Sequence, residues 1–231
     1  MWHYVGWDVG GWNCDRNRRS RDALCILTED ESGLRISGTP WRGNLRTDLQ
    51  GGEESQAARA MLARCGVHTE EPLRAVFAID TPLGWPRPAT RLITEAEIVP
   101  VSAEAHRNPY LYRHTEIFVA DAFASQNIQP LSVVRDMIGS QSLKGIHFLH
   151  ESQLQTSSIG VWKAPSGPDE IMAIETYPTP CKRSPTLERS FLALEDSADF
   201  RSSLQESNEC HNQDLKDALC CALYRSALLM A

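Results

Sequence analysis

Three carboxylates stand where apolar stretches of this chain stop, and a fourth opens an amphipathic helix. Asp8 follows Tyr4-Val5-Gly6-Trp7 and precedes Gly10-Gly11, and Asp80 follows Ala75-Val76-Phe77-Ala78-Ile79 and precedes Pro82. Glu175 follows Ile171-Met172-Ala173-Ile174 and precedes Pro178, and Asp217 lies early in an amphipathic segment from Asp214 to Leu223. Singly, each has a structural use. An acid at a strand end accepts from turn amides, and one near a helix N-terminus complements the helix dipole. Gathered into one site, carboxylates repel and raise each other's pKa unless cations neutralise them. Hard oxygen donors select Mg²⁺ or Mn²⁺ over zinc. Two such ions roughly 4 Å apart activate water and stabilise the leaving oxygen in phosphodiester cleavage. The chemistry expected of Asp8, Asp80, Glu175 and Asp217 is therefore metal-assisted hydrolysis with Mg²⁺ or Mn²⁺ as cofactor. No H-E-x-x-H, G-x-S-x-G, Walker A or G-x-G-x-x-G pattern offers a rival site.

The elements that must position these acids follow from residue pattern. Trp2 to Val9 has the aromatic and β-branched character of a strand. Asp22–Thr28 and Leu34–Ser37 read as two further strands, which makes an antiparallel meander starting at Asp8. Residues 38–51 read as loop, and Glu53–Arg64 as a helix stopped by Gly66. Leu73 to Asp80 is a central strand buried on both faces, and ligands collect at the carboxyl ends of such strands in α/β sheets. Glu116–Ser125 and Leu131–Leu149 look helical, while Gln155–Glu170 is rich in Ser, Gly and Pro and reads as a mobile connection. The expectation is one domain over residues 1–231, with a largely helical insertion or lid at about 87–170.

Composition limits the partners. With 231 residues, 42% hydrophobic and 23% charged, the chain is an ordinary folded domain rather than a disordered one. A net charge of −7 argues against holding long duplexes by bulk electrostatics, but leaves room for a nuclease whose cations meet the phosphate. Arg16, Arg18, Arg19 and Arg21 crowd one segment after the first strand, either as a solvated hairpin tip or as a phosphate-facing clamp near Asp8. The seven cysteines show no C-x-x-C pairing, so reduced thiols in a cytoplasmic protein are expected. No secretion signal and no membrane-spanning run is read.

In order along the chain, these pieces resemble the ribonuclease H-like fold, and more narrowly the DUF429 family of predicted nucleases. The segments that carry the resemblance are Gly6-Trp7-Asp8-Val9-Gly10-Gly11, Ala78-Ile79-Asp80-Thr81-Pro82-Leu83-Gly84, Ala173-Ile174-Glu175-Thr176-Tyr177-Pro178 and Asp214 to Leu223. Tyr112 to Glu116 and Ile138 to Gly145 also look like family segments. The resemblance implies a mixed α/β sheet with flanking helices and a two-metal nuclease. Asp8, Asp80 and Asp217 would be ligands, Asp214 a further ligand or a support to them, and Glu175 a participant or a turn-holding group. It also implies that Arg87 and Arg113 contact phosphate, with DNA and RNA both open as nucleic-acid substrates. Two other functions stand beside this one. One is a non-catalytic binding module for a protein partner, and the other a phosphotransferase or ATPase of the same superfamily.

Overall fold

The computed structural model describes all residues except 18, 32, 51–55, 70–71, 159, 206–207 and 230–231, and the side chains at 180, 181, 186 and 225–229 also lie outside the description. Strand β1 (His3–Asp8) leads to β2 (Asp22–Asp30), β3 (Gly33–Ile36) and the short β4 (Trp41–Gly43). Helix α1 (Gln56–Arg64) precedes β5 (Arg74–Asp80). Then come α2 (Arg87–Glu95), α3 (His114–Ala122), α4 (Gly139–Glu151), β6 (Gln155–Ser158), β7 (Val161–Lys163) and β8 (Glu170–Glu175). The rest is helical: α5 (Pro178–Lys182), α6 (Pro185–Glu195), α7 (Ala198–Arg201) and α8 (Glu209–Leu229).

The strands form one mixed sheet in the order β3-β2-β1-β5-β8-β7-β6, with β4 also paired to β2. β1, β5 and β8 run parallel to one another, and the flanking pairs are antiparallel. Side chains alternate across a strand, and the two faces have different cover. Val5 and Trp7 of β1, with Phe77 and Ile79 of β5, pack against α1 and α4. Tyr4 of β1 and Val76 of β5 pack against Leu215, Ala218, Leu219 and Ala222 of α8. Trp7 and Phe77 meet Phe148 of α4 at ring-centroid distances of 5.7 and 4.8 Å. α4 is therefore part of the main core layer, although it falls inside residues 87–170.

Several boundaries differ from the sequence reading. Residues 155–170 hold the β6–β7 hairpin, which extends the sheet beyond β8 instead of forming a loose connection. Backbone pairing to β8 orders this stretch, and its side-chain pattern gives no sign of that. Residues 38–51 include β4, and the helix expected from Leu131 begins only at Gly139. The first residues of the expected helix from Glu53, through Ser55, lie outside the described residues.

Candidate functional site

Parity along β1 and β5 decides where the acids point. Tyr4, Gly6 and Asp8 share one face of β1, and Val76, Ala78 and Asp80 share the same face of β5. Asp8 and Asp80 are register partners at the carboxyl ends of adjacent parallel strands, so both carboxylates project toward α8. Gly6 lets the helix come close: a Cβ there would stand 1.8 Å from the Ala218 carbonyl oxygen. Only a residue without a side chain tolerates that approach. It brings Asp214 and Asp217, three residues apart on one helical side, up to the strand ends.

The four aspartates are not equivalent. Asp214 Oδ2 accepts from Arg42 Nε and Nη2, both at 2.7 Å, and from the Arg21 amide at 3.1 Å. Asp217 Oδ2 accepts from Gln213 Nε2 at 2.9 Å, and its Oδ1 forms an ion pair with Lys182 Nζ of α5. That oxygen is buried and takes no hydrogen bond of good geometry. Asp8 and Asp80 have neither a hydrogen bond nor an ion pair with any described residue.

Electrostatics follow this division. Burial, and then the charges of Asp80, Asp214, Asp217 and Asp22, push Asp8 well above the usual carboxylate range. Burial and Asp217 push Asp80 to about 8, although Lys182 pulls the other way. Asp214 also rises, because burial outweighs Arg42 and the Arg21 amide. Mutual repulsion without a counter-charge is the condition that a bound cation relieves.

Asp8, Asp80 and Asp217 line a cavity of about 640 Å³. Thr176–Thr179, Lys182 and Arg183 also line it, and Asn127–Leu131 form a further stretch of its wall. Arg183 donates to the Gln126 carbonyl at 2.7 Å, which ties that wall to the α5–α6 connection. The hydroxyl of Thr81, also on the cavity, is buried and unpaired.

Other candidates from the sequence lie elsewhere. Glu175 is the register partner of Ile79, on the face opposite Asp80. Its oxygens accept from Arg113 at 2.6 and 2.9 Å, from the Leu83 amide at 2.8 Å, and from the Tyr177 hydroxyl. Arg113 is in turn shared with Glu116, so all three of its guanidinium nitrogens are occupied inside the fold. Arg87 is exposed at the start of α2 and does not line the cavity. Of the crowded arginines, Arg16 and Arg19 are exposed and Arg21 donates to the Asn17 and Asp15 carbonyls. Arg18 lies outside the described residues.

Two arrangements had no sequence pattern to reveal them. One is Lys182 beside Asp217. The other is the fully buried ion pair of Asp22 and Lys144 on the α4 face. Asp22 also accepts from Trp7 Nε1 at 3.0 Å, Gly10 N at 2.9 Å and Leu45 N at 2.8 Å. Lys144 reaches the Gly11 carbonyl and Asn44. Together they clamp the Gly10-Gly11 turn that follows Asp8.

Among the described residues, no group of three His, Cys, Asp or Glu side chains is arranged to hold a metal ion. The Asp8 and Asp80 carboxylates, beside the unpaired Thr81 hydroxyl, face this cavity without a side-chain partner among the described residues. Oxygen donors of this type fit a hard divalent cation. Compared with protein-family models, curated proteins and solved structures, the chain matches none.

Proposed function

We propose that the chain is a divalent-cation-dependent phosphodiester hydrolase of ribonuclease H-like architecture, acting on nucleic acid at the Asp8–Asp80 cavity. The observation that carries this reading is the register pairing of two acids whose side chains have no partner among the described residues, at parallel strand ends, facing a helix that bears Asp217. The strand order supports the architecture: an antiparallel β3-β2-β1 meander continues into parallel β5 and β8. Asp8 and Asp80 would hold Mg²⁺ or Mn²⁺. When bound, that ion would lower the pKa of a water and offset charge building on the phosphate. The side chains of Lys182 and Arg183 give the cavity a cationic side against which a phosphate can rest. The wall at Asn127–Leu131 limits how a strand enters. With a net charge of −7, attraction for nucleic acid is local to this cavity rather than spread over the surface. The six described cysteines are free thiols, which suits a reducing compartment, and we place the chain in the cytoplasm.

The test is calorimetric titration of Mn²⁺ and Mg²⁺ into wild type and Asp8→Asn, alongside cleavage of single- and double-stranded DNA and RNA. Saturable binding and cleavage in wild type, both lost in a folded variant, are expected. Equal cleavage by Asp8→Asn would refute the assignment.

One observation favours a second reading, a non-catalytic module that binds a protein. Ile93, Ile98, Phe118 and Met137 are 71–98% exposed, all in the segment between β5 and β8. Joined into one contiguous patch, such residues would mark an interaction surface. That reading expects no response to divalent ions.

A further inference from the structure

Charge counting at the site goes beyond the identity of its ligands. Four aspartates gather on the α8 side of the sheet, and the protein has already matched two of them. Asp214 holds the guanidinium of Arg42, with side chains only 11% and 5% exposed. An arginine in that setting stays charged, so this pair needs no further cation. Asp217 Oδ1 holds the ammonium of Lys182. Only Asp8 and Asp80 are left, and two negative charges call for one divalent ion. A second divalent ion beside Asp217 would meet Lys182 at contact distance, with like charges opposed in a partly buried cavity.

We propose that Lys182 takes the place of a second metal: the site holds one divalent cation at Asp8 and Asp80, and the Lys182 ammonium balances Asp217. This rests on the metal-dependent reading above and departs from the two-metal site that the family resemblance implies. The lysine is not required merely to dock α5 on α8. Cys220 Sγ lies 3.6 Å from the Pro178 carbonyl, and Thr176 Oγ1 lies 3.3 Å from Cys221 Sγ. These contacts hold that junction without Lys182. Lys182 lines the same cavity as Asp8, Asp80 and Asp217, which puts its ammonium beside the acid cluster. Arg183, the next residue, is turned to the Gln126 carbonyl instead.

The experiment counts Mn²⁺ ions per chain by electron paramagnetic resonance and calorimetry, on wild type, Lys182→Gln and Lys182→Arg. Circular dichroism checks that each is folded. Wild type should bind one ion, Lys182→Gln two, and Lys182→Arg, which keeps the charge, one. Two ions in wild type would overturn the role of Lys182 and leave metal dependence standing. One ion in Lys182→Gln with unchanged affinity would also overturn it. No binding to any of the three would remove the metal-dependent reading and this inference with it.

Discussion

Replacing Asp80 by asparagine should stabilise the metal-free protein, and more so as pH rises. The Asp80 side chain has no hydrogen bond to a described residue to lose, and burial, then Asp217, raise its pKa from 3.8 to about 8. Between those values the native state keeps a proton that the unfolded chain releases. The contribution of this group is therefore fully present below about pH 4 and is lost as pH rises through about 8, at about 1.4 kcal/mol per pH unit. The ceiling of that loss is about 6 kcal/mol. Water reaching the cavity and salt screening reduce it, and we expect a gain of about 1–3 kcal/mol at pH 8.5. At pH 4.5 the variant should lie within about 0.5 kcal/mol of wild type. The assay is urea denaturation in chelator at both pH values. Saturating Mn²⁺ should reverse the order at pH 8.5, since an ion at a hundred times its Kd stabilises wild type by about 2.7 kcal/mol. A variant less stable than wild type in chelator at pH 8.5, or a difference independent of pH, would refute the reasoning.

Two further substitutions probe the frame around the acids. Gly6→Ala forces a methyl group into the Ala218 carbonyl and should push α8 off β1, costing about 3 kcal/mol or more in chemical denaturation. Lys144→Met leaves Asp22 as a buried carboxylate without its cation and should cost about 3–5 kcal/mol. Adding Asp22→Asn should recover part of that loss, so a double-mutant cycle will show a coupling well above zero.

Much of the frame can be read from local pattern. β1, β5 and β8 are apolar runs bounded by acids and by Gly or Pro, and α8 shows its buried stripe directly. Asp8 and Asp80 can be picked out because a carboxylate is costly where they stand. Glu175 follows the same pattern yet belongs elsewhere, because its face depends on register with Ile79 across the sheet. Its partner Arg113 comes from the segment between β5 and β8, so the pair depends on a tertiary contact that spacing does not encode. β6 escapes notice for a related reason: Gln155 to Ser158 are all exposed and carry no alternation, so only pairing with β7 makes them a strand. Asp22 looks like the polar first residue of a strand, and Lys144 like a solvated helix position. Their meeting comes only with the packing of α4.

The close packing of β1 on α8 also has a consequence for the order of folding. Asp8 closes β1 and Asp217 lies on α8, with every other strand and helix named above between them in sequence. Contacts between such distant segments carry a large loop-closure cost, and late contacts of this type set slow folding steps. The meander and β5 can pair before α8 exists, leaving Tyr4 and the Gly6 notch uncovered until the helix arrives. The acidic cavity thus forms only once α8 has docked on β1, and a chain without that contact carries its acids apart.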